Sequence, residues 1–568
     1  MEELSLGRDL VIVLAAATAG GLLAYRLKLP VILGYLAVGI AIGPNGFSVV
    51  KNLSTVEALA TIGVVLLFFT LGIEFSLKDL LRLGKIVVLG GIAQIIFTTA
   101  LGLVLGRLLG YHLLSSIIFG ILIAMSSTTI VLKTLMERGE LDSNHGRIMT
   151  GILLIQDLAV VPVMVIMPAI GGNSNELWLS LGIAVIKALL IIGIMLALGL
   201  WVLPWLLKRV AAVRSRELFL LTVFSLSLAA ALGTYAFGLS AALGAFIAGL
   251  IVNESPFARQ ALADILPLRN AFVALFFVSL GMLFSPHFVA GNVLLVLVAV
   301  VGIVIIKFLV CGLVAWFIGS DPKTTIFVSL GLVQIGEFSF VMAQLGEQTR
   351  LISSSLYDLV LAGALFTMLL TPFTFNLASF IYRRLSQKPV LDRLTRRRFD
   401  FTTGKKKLEL SGHAVICGYG RIGENLATVL QSRKFPFLVI DLNPTTVARL
   451  EAEGVPAIYG DAASPEILTH VNLEKCRILV ITYDDLIATE LTARNARRIN
   501  PRLDIVARVA HDTHAEVLRG IGVSELVLPE FEASLEITRH TLHRFGLSTL
   551  EIQYILNSLR GQNTGEGS

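Results

Sequence analysis

The chain has little charge and almost no cysteine. Of its 568 residues only 15% are charged while 55% are hydrophobic, a balance that excludes a single soluble globule. The three cysteines, Cys311, Cys417 and Cys476, are too few and too scattered for a disulfide framework or a Cys-x-x-Cys metal site, and reduced, buried thiols are expected. The N-terminal segment is acidic rather than basic and no small-residue cleavage site follows it, so no removable signal peptide is expected. The Thr-Val-Gly-Tyr-Gly filter loop of a potassium channel is absent. What is present is a series of apolar runs of about 20 residues, recurring from Leu10 to Ile381 and then stopping.

That change in composition predicts a membrane domain over 1–382, a basic linker over 383–410, a nucleotide-binding domain over 411–530, and a C-terminal helix over 531–568 whose tail from Gly561 is disordered. The formal charge is +6, but ten Lys and Arg residues lie between Arg383 and Lys407, just after the last apolar run. Such a stretch reads as cytoplasmic juxtamembrane sequence beside anionic lipid, with no nucleic acid as partner.

Thirteen apolar segments are expected to span, centred near Ala17, Leu36, Leu66, Ile96, Ile123, Val160, Met195, Leu226, Phe246, Phe276, Ile303, Leu332 and Leu365. Lys and Arg concentrate in alternate loops, such as Arg26 with Lys28 and Lys78 with Arg82 and Lys85. Those loops should be cytoplasmic, which puts the N-terminus outside and the C-terminus inside the inner membrane.

The two halves resemble each other. Leu33-Gly34 with Gly39 recurs 210 residues on as Leu243-Gly244 with Gly249, and Leu66–Ser76 aligns without gaps on Leu275–Ser285. A seven-span offset places the halves in opposite orientations, the plan of an inverted-repeat transporter. An offset of 209, that of the Leu66–Ser76 match, carries the Ser126-Ser127-Thr128-Thr129 interruption of the fifth span into the Gln334–Ser339 run of the twelfth. Polar runs at matched depths predict two discontinuous crossing helices able to coordinate ions; the alternative is hydroxyls that merely bond their own helix.

Between them the sixth span carries Gln156-Asp157 inside an apolar helix. A carboxylate at that depth costs about 2.5–3.5 kcal/mol on insertion scales, which marks Asp157 as a group that alternately holds a proton and a monovalent cation. Gln156, Ser126, Ser127, Thr128 and Glu337 are candidate neighbours, and Lys307 in the eleventh span is expected to pair with Asp157 or Glu337 when no cation is bound. With Gln156 in place of a second acid, one titrating anion predicts electroneutral exchange.

From His413 the pattern changes to short apolar runs between amphipathic stretches, which predicts a Rossmann-like α/β domain with a parallel sheet. Its first strand runs into Gly418-Tyr419-Gly420-Arg421-Ile422-Gly423, and its second ends at Asp441, eighteen residues past the last glycine. That spacing fits an adenine nucleotide, its phosphates on the loop and its ribose hydroxyls on Asp441, with Asp461 and Ala462 closing the site. No Arg stands beside Asp441 in the chain, so NAD(H) or AMP is preferred over NADP. A Rossmann-like domain with a purely structural pocket is the alternative.

The Gln-Asp pair, the Ser-Ser-Thr break, the Gly-Glu-Phe-Ser run and Leu-Phe-Phe-Val-Ser-Leu-Gly-Met resemble the cation:proton antiporter-2 family, most closely its Kef-type potassium-efflux members with a C-terminal RCK/TrkA-N domain. The resemblance implies a homodimer whose core moves against a dimer scaffold, K+ or Na+ and H+ as substrates, and room for an ancillary regulatory subunit. The chain departs from glutathione-gated members at Gln260–Pro267, which holds one acid where they carry an acidic segment. An RCK-gated potassium channel and a membrane-anchored NAD-dependent oxidoreductase remain as alternatives; the repeat and the buried carboxylate weigh against the first, the lack of a substrate lobe against the second.

Overall fold

The computed structural model describes residues 2–27, 29–50, 54–74, 85–141, 143–170, 190, 193, 205–210, 212–213, 215–237, 240–385, 410–483, 485–509 and 512–564. Two units are distinguished: 1–134 with 144–378, and 135–143 with 379–568.

The first unit is all α. Its main helices are α1 Glu2–Arg26, α2 Val31–Ile42, α3 Ser54–Glu74, α4 Lys85–Leu108, α5 Leu113–Ala124, α6 Thr128–Glu137, α7 Asn144–Ile170, α8 Arg216–Ala236, α9 Ala241–Asn253, α10 Ala258–Leu283, α11 Val293–Phe317, α12 Pro322–Gly331, α13 Glu337–Gln348 and α14 Ser354–Leu385, with a short helical turn at Pro286–Gly291 before α11. Among the described residues eight helical stretches are long and apolar enough to cross a membrane, and Val31–Ile42, Ala58–Glu74 and Ala241–Asn253 are shorter apolar helices. The expected segment near Met195 lies outside the described residues.

Amphipathicity here separates lipid from protein rather than water from core. Helix α11 exposes Leu294, Leu297, Val301, Ile305, Phe308 and Leu313 and buries Ile303, Lys307, Val310 and Val314 on the other face. So continuous an apolar stripe suits acyl chains rather than water.

The glycines of the two halves pack across one another. A side chain on Gly39 of α2 would fall on the backbone of Val278 and Gly281 in α10, and one on Gly281 on Leu36 and Gly39. Gly249 of α9 and Gly72 of α3 meet in the same way, through Phe69 and Phe246. Gly39 matches Gly249, and Gly72 matches Gly281, at the offsets read from sequence. The recurring glycines thus mark two equivalent helix crossings where backbones touch.

Both polar runs interrupt helices. Helix α5 stops at Ala124 and α6 begins at Thr128; α12 stops at Gly331 and α13 begins at Glu337. The breaks touch each other: Gly336 N–H donates to Met125 O at 3.0 Å, and Ser126 Oγ donates to Leu332 O at 3.1 Å. Only glycine fits at 336, since a Cβ there would press on the Ser126 carbonyl.

In the second unit six parallel strands run in the order β3-β2-β1-β4-β5-β6: β1 Ala414–Cys417, β2 Phe437–Asp441, β3 Ala457–Tyr459, β4 Ile478–Ile481, β5 Asp504–Arg508 and β6 Glu525–Val527. Helices α15 Arg421–Ser432, α16 Pro444–Ala452, α17 Pro465–His470, α18 Leu486–Ile499 and α19 Asp512–Ile521 connect them. This is the dinucleotide-fold order, in which chain direction switches between β1 and β4 and ligands meet the carboxyl ends of the strands. Two helices follow, α20 Pro529–Arg544 and α21 Thr549–Thr564. The last corrects the expected tail: four residues from Gly561 continue the helix, because no breaker beyond Gly561 itself interrupts its final turn.

Candidate functional sites

At the first break the end of α5 leaves carbonyls that in a membrane cannot turn to water. Each receives a donor from another helix. Ser339 Oγ donates to Leu122 O at 2.7 Å. Lys307 Nζ donates to Ile123 O at 2.9 Å and to Met125 O at 2.8 Å. Gln94 Nε2, on α4, donates to Ala124 O and to Thr98 Oγ1, both at 3.1 Å. The ammonium of Lys307 therefore sits on the negative end of a half-helix dipole, and no hydrogen bond or salt bridge joins it to Asp157 or Glu337. A lysine reaches a helix end and a carboxylate equally well by length; the converging carbonyls decide here.

Gln156 has a similar duty. Its Oε1 accepts Ser126 N–H at 2.7 Å and its Nε2 donates to Gln94 Oε1 at 2.7 Å. The amide tethers the break to α4 through a second glutamine that sequence reading had not singled out. A lone Gln in an apolar helix has no partner visible in the chain, so Gln94 carries no local signal.

Two carboxylates meet the start of α6. Asp157 Oδ2 accepts Thr128 Oγ1 at 2.9 Å. Glu337 Oε2 accepts Ser127 Oγ, and its Oε1 accepts Thr129 Oγ1, both at 2.7 Å. Asp157 and Glu337 are each 5% exposed, and Gln156, Ser127 and Lys307 are fully buried. A half-helix N-terminus with hydroxyls turned to two acids favours negative charge. The formal charges of Asp157, Glu337 and Lys307 sum to −1.

In the second unit, Gly418 adopts φ +96°, which glycine takes without strain. A Cβ on Gly423 would fall on Gly418 O, whereas one on Gly420 would meet nothing within 4 Å. The tight turn and the open approach that a pyrophosphate needs are both present. Tyr419, Arg421 and Ile422 complete the loop, and α15 starts at Arg421. Asp441, at the end of β2, accepts Tyr419 N–H at 2.5 Å and Asn443 N–H at 2.7 Å. Burial pushes its carboxyl above the usual range, and these two amides pull it partly back.

Beyond β3, Asp461 Oδ1 accepts Ala463 N–H at 2.9 Å and its Oδ2 accepts the hydroxyl of Tyr382. Ala462 is buried beside it. Arg449, eight residues past Asp441, lies 5.9 Å over the Tyr419 ring. Sequence reading considered only chain neighbours of Asp441 and missed this guanidinium, which one helix returns to the loop.

The buried acid on a broken-helix crossing, joined to a Rossmann-like domain, defines an ion-coupled membrane transporter with a regulatory fold. Residues 12–379 match the family model "Sodium/hydrogen exchanger, transmembrane", and 414–529 match that of the TrkA-N domain. The chain belongs to the sodium/hydrogen exchanger family, a family of transporters and not of enzymes. It is 36% identical to YbaL of Escherichia coli (strain K12), a proposed cation/proton antiporter, over 90% of this chain and 93% of that one. It is 31% identical to KefB of Alkalimonas amylolytica, a proposed K+ efflux antiporter, over 94% of this chain and 81% of that one. The sodium proton antiporter MjNhaP1 of Methanocaldococcus jannaschii shares the fold, with 16% identity, a TM-score of 0.53 and coverage of 66% of this chain and 99% of that one.

Proposed function

We propose that the chain exchanges K+, in preference to Na+, for H+ across the bacterial inner membrane, one for one and without net charge movement. The observation that carries this reading is Asp157: a buried acid bonded to the first residue of a half-helix, in a crossing whose formal charge is −1. Proton and cation are then alternative ways of neutralising one site, and coupling follows because an unbalanced buried charge is expensive. The preference for K+ draws on the relatives named for K+ efflux.

Thirteen spans in two inverted halves are part of the same reading, supported by the glycine crossings and by the helix break found in each half. The alternation of Lys- and Arg-rich loops favours an outer N-terminus and a cytoplasmic C-terminal domain. A homodimer would supply the scaffold against which the core moves.

The C-terminal domain would bind an adenine nucleotide at Gly418–Gly423 and Asp441 and set the exchange rate. The open approach at Gly420 supports phosphate binding there.

The test is a proteoliposome assay in which added K+ dissipates an imposed pH gradient. Asp157→Asn should abolish dissipation in protein that still folds; full exchange by that variant would remove the site from the mechanism.

A further inference from the structure

The two breaks are finished unequally. At the first, every carbonyl from Leu122 to Met125 has a donor, and a fixed ammonium supplies two of those bonds. At the second, Ser126 Oγ reaches Leu332 O and Ile335 N–H donates to Thr367 Oγ1 at 3.1 Å. Between these anchors, Val333 O and Gln334 O receive no hydrogen bond from any described residue. The Gln334 carboxamide, fully buried, has no hydrogen-bond partner among the described residues at either its oxygen or its nitrogen.

Buried main-chain and amide groups are almost always paired, because an unpaired one forfeits its hydration. Three oxygens on two consecutive residues of the second break therefore lack a donor among the described residues, and a cation or a strong donor would satisfy them. The repeat says which. Counting back by 209 or 210 from Val333 and Gln334 falls within Ile123 to Met125, the end of the first break, where Ile123 O and Met125 O accept the Lys307 ammonium and Ala124 O accepts Gln94. Ammonium and K+ are close in size and both suit converging carbonyl oxygens, whereas a smaller ion fits such a set less well.

We propose that Gln334 is a cation-selectivity ligand: its carboxamide oxygen, with the carbonyl oxygens of Val333 and Gln334, binds the dehydrated monovalent cation at the second break, the counterpart of the break that the Lys307 ammonium caps. The inference rests on the exchange reading above and adds a second set of ligands to Asp157. Gln334 lies two residues from Leu332 and two from Gly336, both in contact with the first break, so the chain holds it within about 7 Å of that contact.

Gln334→Leu and Gln334→Asn, each reconstituted, test this against the parent. Gln334→Leu should raise the KM for K+ at least tenfold while kcat at saturating K+ changes less than threefold, and should erase discrimination between K+ and Na+. Gln334→Asn, one methylene shorter, should lose less affinity and shift preference away from K+. An unchanged KM and selectivity in both variants would overturn the proposal. If Gln334→Leu does not fold, Tl+ provides the second measurement: heavy-atom density beside the Gln334 carboxamide in the parent protein supports the site, while density confined to Asp157, with water at Gln334, overturns it. Asp157→Asn run alongside separates the outcomes, since full exchange by that variant would defeat the exchange reading whatever Gln334 does.

Discussion

At the scale of single residues, the same side-chain types serve opposite ends of one interruption. Lys307 and Gln94 finish the carbonyl end of the first break, while Thr128, Ser127 and Thr129 present the amino end to Asp157 and Glu337. Removing Lys307 should therefore act first on stability. Charge-assisted hydrogen bonds contribute about 1.5–3 kcal/mol each, and Lys307→Met deletes two. Thermal unfolding in detergent should show a clear drop for Lys307→Met and a smaller one for Lys307→Arg, whose guanidinium keeps donors. Equal stability of all three proteins would mean that the cap contributes nothing.

Asp441 gives a pH signature outside the membrane. In the proposed nucleotide site its carboxylate would accept ribose hydroxyls more strongly when ionised, and burial raises the pH at which it becomes protonated. Nucleotide affinity should accordingly fall as pH drops through that raised value, a limb lying higher than an ordinary aspartate would give. Titration calorimetry at several pH values should show the limb in the parent protein and its loss in Asp441→Asn. The same limb persisting in Asp441→Asn would place the titrating group elsewhere.

At the scale of elements, helix contacts rather than helix propensities position the site. Gly281 lets α10 touch α2, and Gly72 lets α3 touch α9; these crossings are equivalent in the two halves. An added methyl at either place would meet backbone, which cannot swing aside as a side chain does. Overpacking of this kind costs about 1–3 kcal/mol, so Gly281→Ala and Gly72→Ala should each lower thermal stability by a similar amount. Alanine at Gly233 or Gly291, where nothing lies within 4 Å, should leave it unchanged. A destabilisation equal at all four positions would contradict the crossing as its cause.

The elements also show what a sequence discloses. Polar residues inside apolar runs stand out, so Asp157, Ser126–Thr129 and Glu337 were visible, as were the breaks they mark and the glycines that recur at 210 residues. Partners were not visible. Lys307 was expected on a carboxylate and lies on helix-end carbonyls, Gln156 was expected at the ion and tethers a backbone amide, and Gln94 and Arg449 act on residues far from them in the chain. Chain spacing reports which groups are expensive to bury; packing alone reports what satisfies them.

At the scale of the whole molecule, the account depends on charge balance. The formal charges of the crossing leave one uncompensated negative charge, and under the proposed exchange a core moving through the membrane interior would be restrained while that charge is unbalanced. A proton or one cation would then restore mobility, each in place of the other. The direct measurement is proton release on K+ binding, followed with purified full-length protein in weakly buffered detergent solution. One proton should leave per K+ bound, and none should leave from Asp157→Asn. K+ bound without proton release by the parent protein, or release undiminished in Asp157→Asn, would contradict the shared carboxylate.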